Sequence, residues 1–203
     1  MKKKYELTPS DREGLFRIKA VKDFNDVKKG DIGGFVANED NLSQLGNCWI
    51  FDDAVVRDNA QVCDNARVWD NAIVWDHAAI QDNAVVRDNV VVWGDALVRG
   101  DVQVYDNAEV CGDAEVCGKT DICGDAIISS DRDYIVFKNW WSSGRYFTWT
   151  RSNNMWKVGC FYGTGEELIA KAYKDSEEKG REYECIVKYV ERILNTEESK
   201  TNK

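Results

Sequence analysis

From Ile50 onward every sixth residue is Val or Ile: Ile50, Val56, Val62, Val68, Val74, Ile80, Val86, Val92, Val98, Val104, Val110, Val116 and Ile122. Thirteen hexads follow one another without an insertion. Four places after each of these residues stands a small one, usually Ala (Ala54, Ala60, Ala66, Ala72), with Val90, Val102 and Thr120 as the exceptions. Between them lie two turn formers, Asp-Asn at first (Asp58-Asn59, Asp64-Asn65, Asp70-Asn71) and Gly-Asp later (Gly94-Asp95, Gly112-Asp113). β-Branched residues suit short strands, Asn, Asp and Gly accept the left-handed backbone of a tight corner, and Ala fits an inward slot where a larger side chain would collide. An α-helix cannot hold thirteen consecutive sixth residues on one face. Three hexads close a triangular coil of 18 residues, and coils stack about 4.8 Å apart as parallel strands.

With an 18-residue period, outward residues sort onto three faces. The first carries Trp49, Phe51, Arg67, Trp69, Val85, Arg87, Gln103 and Tyr105. On the second, Ile73, Trp75, Val91 and Trp93 form an apolar patch, which meets either a partner or this chain's own C-terminal segment. The third, with Gln61, Cys63, Gln81, Arg99 and Glu115, is the most polar. Cys111, Cys117 and Cys123 occupy the same slot of successive hexads and therefore fall on different faces, so no metal site is expected; Cys48 takes an inward slot. The corner aspartates stack in columns such as Asp52, Asp70, Asp88 and Asp106, where their ordinary role is to accept corner backbone N–H bonds rather than to bind calcium.

The repeat spans residues 50–130, after a lead-in and cap over 1–49. Residues 131–203 read as a small α+β module. Tyr134 to Asn139 alternates like a strand, Arg145 to Arg151 and Met155 to Phe161 form a hairpin, and two helices follow. The first opens on a capping box, Thr164-Gly165-Glu166-Glu167. Gly180 is read as a break, after which Tyr183, Ile186, Val187, Val190, Ile193 and Leu194 make one helical stripe ahead of a polar tail from Asn195. Arg145, Tyr146, Trp149, Arg151, Trp156 and Lys157 are a candidate recognition surface, able to stack on a nucleotide or anchor a protein.

Net charge changes the picture once it is divided by segment. Basic against acidic side chains number 9 to 8 in residues 1–49, 5 to 16 in 50–130 and 13 to 12 in 131–203, so the whole excess of the −9 chain sits in the repeat. Its acidity is first a product of turning corners. The start, Met1-Lys2-Lys3-Lys4-Tyr5, leads into Glu6 and Asp11 rather than an apolar core, which argues against a secretory signal; seven Cys then fit reduced thiols in a cytosol. No apolar run is long enough for a membrane span.

The hexads resemble the hexapeptide-repeat, left-handed parallel β-helix family, and the stretch from Ile18 through Gly33-Gly34-Phe35-Val36 to Cys48-Trp49-Ile50 resembles the corresponding segment of YdcK-like bacterial and phage proteins. The resemblance implies self-association through β-helix faces as a dimer or trimer, and many proteins of this fold are acyltransferases that use a His base near a projecting loop. This chain has one His, His77, in a corner slot filled elsewhere by Asn or Asp, and the repeat has no loop. No nucleotide-binding motif appears at Gly33-Gly34, and Cys160 has no second His to pair with. The expectation is therefore a non-catalytic oligomeric binding protein without a cofactor, of the phage or prophage type that inhibits a bacterial defence system. Such a protein would bind a protein partner, mimic nucleic acid with its acidic rows, or sequester a nucleotide. The alternatives are an acyltransferase acting through His77 on a sugar or small amine, and a structural polymer.

Overall fold

A computed structural model describes residues 3–141 and 143–201, with side chains to Glu197; Met1 and Lys2 of the basic start lie outside the described residues. The chain divides into two compact units, residues 1–135 with 150–153, and residues 136–149 with 154–203.

The first unit is a parallel β-helix of about five turns, built from two-residue strands that pair with strands 18 residues away, as Val85 does with Arg67 and Gln103. Pairing collects the strands into the three expected faces. The first runs from Trp49–Ile50 to Asp121–Ile122, the second from Val55–Val56 to Ile127–Ile128, and the third from Gln61–Val62 to Glu115–Val116. The Val, Ile and Ala columns point inward and are fully buried.

The lead-in does more than cap. Phe35 and Val36 pair with Val55 and Val56, Leu42 bridges Val62, and Trp49–Ile50 pairs with Arg67–Val68, so residues 35–50 make a first, irregular coil. An antiparallel pair, Tyr5–Pro9 with Phe16–Ala20, extends the second face beyond it. At the far end residues 129–135 and the Thr150–Asn153 turn close the stack: Ile127 N–H donates to Ser152 Oγ, and Glu115 N–H to Asp131.

Corner chemistry explains the acidity. Asp52, Asp58, Asp64, Asp70, Asp76, Asp82, Asp88 and Asp106 all sit in the left-handed region, with φ between 52° and 63°, and Gly takes over the same slot at 94, 100, 112, 118 and 124. Six of these carboxylates, on Asp64, Asp70, Asp76, Asp82, Asp88 and Asp106, also tie coils together by accepting from the backbone N–H 18 residues on. Asp70 accepts from Asp88 N–H at 3.1 Å, and Asp88 from Asp106 N–H at 3.1 Å. The neighbouring corner residues form amide ladders, Asn71 to Asn89 to Asn107 to Asp125 at 3.2–3.3 Å. Among the described residues no group of three metal-ligating side chains is placed to hold an ion. Asp88→Ala should cost about 2–3 kcal/mol in urea unfolding, combining the left-handed penalty with a lost hydrogen bond to a charged acceptor. Asp88→Asn, which keeps both the turn tolerance and an acceptor, should cost no more than about 1 kcal/mol.

Asp133 closes the last coil by accepting from the N–H and the Oγ of both Ser129 and Ser130, at 2.8–3.2 Å. Partial burial pushes its pKa up, but these four bonds win and hold it below the ordinary carboxylate value. A depressed folded pKa means stability that is complete above the unfolded value near pH 4 and is lost as pH falls through the lower folded value. The stability gap between the native chain and Asp133→Asn should therefore be constant above about pH 5 and shrink below about pH 4 in denaturant titrations.

The second unit holds most of a four-stranded sheet ordered Tyr134–Lys138, Tyr146–Thr150, Met155–Val158, Phe161–Gly163; the first two strands straddle the division. The expected single strand from Met155 to Phe161 is in fact a hairpin. Val158 pairs with Phe161, and Gly159, at φ 56°, turns the chain between them. Helices α1 (Gly165–Asp175) and α2 (Glu177–Thr201) follow, α1 with the predicted capping box between Thr164 and Glu167. Gly180 does not break the chain: the break is at Ser176, and α2 runs through Gly180. That glycine is where the two helices touch, since a Cβ there would lie 2.2 Å from the Tyr173 ring. The polar tail from Asn195 is likewise helical to Thr201. Tyr183, Ile186, Val187 and Val190 form the buried stripe. Among the described residues no helix is long and apolar enough to cross a membrane.

Candidate functional site

His77 stands at the corner between the second and third faces, in the column Asn59, His77, Asp95. Its Nε2 lies 3.2 Å from Asn59 Nδ2, and its Nδ1 lies 3.7 Å from Asp95 Oδ1. In the parallel ladders each Asn amide donates to the next acceptor up the column. With Asn59 donating in the same sense, Nε2 is the acceptor, and the ring proton is on Nδ1, facing the Asp95 carboxylate. The repeat thus sets the tautomer: a lone pair on Nε2 and an N–H on Nδ1 that faces Asp95.

Asn59 also lines a cleft of about 550 Å³. The lead-in forms its other wall, where the short 3-10 helix Glu39–Asn41 leans over the third face with Asn38 as its cap. Glu39, Asp40 and Asp58 make the lining acidic, and Ser43, Gln44, Gln61 and Cys63 add neutral polar groups. Buried Asn41 fixes the wall by donating through Nδ2 to Asp58 O and Ala60 O. Burial, then its hydrogen bond to Asp64, pushes the Cys63 thiol up to about 12.

Part of the chain is similar to a curated protein. Over 42 residues the chain is 48% identical to a protein of Escherichia coli (strain K12) named "Uncharacterized acetyltransferase YdcK". The relative is named for acetyl transfer. The matched stretch is 21% of this chain and 13% of that protein, so the chain spans only a small part of the relative's length. No family model matches the chain. This likeness overturns the expectation of a non-catalytic chain, which rested on the isolated His77 and the missing loop. It gives no support to inhibition of a host defence.

The other predicted residues are placed differently from one another. Ile73, Trp75, Val91 and Trp93 lie together on the second face: Val91 pairs with Ile73, and Trp75 stacks on Trp93 with centroids 5.6 Å apart. Arg57 covers Trp75 at 5.1 Å, and Trp93 Nε1 donates to Glu109 at 2.7 Å, so polar groups bracket the pair at both ends. Cys111, Cys117 and Cys123 fall on separate faces, as expected. In the second module Trp149 and Trp156 are 1% and 2% exposed, so two of the three aromatic residues of the expected recognition surface are interior. The exposed tryptophans are Trp140 and Trp141. Arg145 is exposed, Tyr146 and Lys157 are half-buried, and Arg151 belongs to the first unit, where its Nε donates to Arg132 O.

Sequence reasoning missed Lys4. Read only as part of a basic start, it is 1% exposed, with Nζ donating to Leu45 O, Cys48 O and Cys48 Sγ at 3.0–3.2 Å. Burial lowers its pKa and raises that of Cys48. Nothing in its sequence neighbourhood signals this, because all three acceptors lie more than forty residues away.

Proposed function

We propose that the β-helix is an acyltransferase in which His77 takes the proton from an acceptor as it attacks an acyl thioester. The observation that carries the reading is the placement of His77 between Asn59 and Asp95, with Asn59 lining the cleft. An acceptor hydroxyl or amine replaces the Asn59 N–H at Nε2 and gives up its proton as its heteroatom bonds to the acyl carbon; the thiolate leaves and is protonated by the imidazolium. Asp95 stabilises that imidazolium. No loop projects from the coils between residues 50 and 128, and the lead-in supplies the wall such a loop would give. The acidic lining favours a small amine, such as an amino sugar, over an anionic acceptor. The Ile73, Trp75, Val91 and Trp93 face serves self-association in this reading, for which light scattering should give a discrete mass above the monomer.

The test is thiol release from an acetyl thioester by the purified chain, with glucosamine and a diamine as acceptors. Acceptor-dependent release is expected. Release that never exceeds the enzyme-free blank with any acceptor would sink the proposal.

A further inference from the structure

The second unit contains a smaller cleft of about 260 Å³, below the roughly 300 Å³ at which sites for drug-sized molecules begin, and so of a size for a small metabolite. Three hydrogen-bond donors meet in it. Trp156 is 98% buried by its 2% exposure, yet among the described residues its indole N–H has no acceptor, and the nitrogen opens into the cleft. It lies at the first residue of α1, 3.3 Å from where a Cβ on Gly165 would stand. In that first turn the capping box occupies Glu167 N–H, and Leu168 N–H bonds Thr164 O. The N–H groups of Gly165 and Glu166 have no acceptor among the described residues. Gly165 is itself part of the construction, because a Cβ would also meet Val187 Cγ1 at 2.7 Å.

The opposite wall is the apolar stripe of α2, Val187, Val190 and Leu194, and exposed Glu191 stands beside it. We infer that this cleft binds a free aliphatic α-amino acid. The carboxylate meets the indole N–H and the two backbone N–H groups at the positive end of the helix. The aliphatic side chain lies on Val187, Val190 and Leu194, and the ammonium faces Glu191. A simple carboxylic acid leaves Glu191 facing an anion, and a simple amine leaves three donors unmet.

The test follows the indole N–H resonance of Trp156 in the full chain, assigned with Trp156→Phe, during titration with L-leucine, isovalerate and isoamylamine. Leucine should shift it saturably in the millimolar range, and the other two should bind at least about tenfold more weakly. Glu166→Pro removes one free N–H at a first-turn position where proline costs no intrahelical bond, and should weaken leucine about tenfold. Glu166→Gln keeps that N–H and should stay within about threefold. Circular dichroism of both variants confirms the fold. No saturable shift with leucine, equal binding of isovalerate or isoamylamine, or unchanged binding by a folded Glu166→Pro chain would each overturn the site.

Discussion

Replacing His77 by asparagine should lower kcat for acyl transfer by about 10²–10⁴-fold while leaving the unfolding free energy within about 1 kcal/mol of the native value. Asparagine is the informative choice because the repeat already uses it in this slot, at Asn71, Asn83 and Asn89, where its amide continues the ladder up the column. The variant therefore keeps the corner and removes only the imidazole. Asp95→Asn should have a smaller effect, about tenfold, because Asp95 is exposed and 3.7 Å from Nδ1, so water already screens much of its charge. A native kcat in His77→Asn would place the reaction elsewhere on the molecule, and a kcat lost together with the fold would show up as a matching loss in urea unfolding.

The coils were legible because their constraints are local and repeated. Val86, Ala84 and the Asp88 corner each recur at fixed intervals, and the 18-residue arithmetic that placed Trp75 under Trp93 needs only that the period never slips. His77 was legible as a substitution in a turn column. Its surroundings were not: the acidic wall comes from Glu39 and Asp40, in a lead-in that pairs with the coils across steps of 20 rather than 18 residues, as Phe35 does with Val55. The irregular coil carries no periodic signal, so neither the cleft nor the burial of Lys4 could be read forward. In the second module, composition was a poor guide to exposure. Trp149 and Trp156 sit among basic residues in sequence, but both are buried in the sheet, where they line the smaller cleft instead of an open surface. Gly180 misled for a related reason: a glycine inside a helix looks like a break until a neighbouring helix packs against it.

Gly33→Ala should destabilise the first unit by more than about 3 kcal/mol, although strand propensity alone favours alanine over glycine by about 0.5–1 kcal/mol. Gly33 lies in the strand Ile32–Val36, and a Cβ there would stand 2.5 Å from Ile50 O, 2.7 Å from Ile18 Cγ1 and 2.8 Å from Trp49 Cε2. The carbonyl cannot withdraw cheaply, because Ile50 belongs to the strand that pairs with Arg67–Val68. The new methyl must push the lead-in strand outward, which strains the pairing of Phe35 and Val36 with the next coil and the bond from Arg17 to Gly33 O. Gly118→Ala is the control. Unlike Gly33 it sits at positive φ, 79°, but nothing lies within 4 Å of its Cβ, so its cost should be limited to backbone strain of about 1–2 kcal/mol. In urea unfolding Gly33→Ala should therefore lose more stability than Gly118→Ala despite its easier backbone. The reverse order would mean that the lead-in does not pack against the first coil as closely as Gly33 requires, and the wall of the cleft beside Asn59, which the same segment forms, would lose its support.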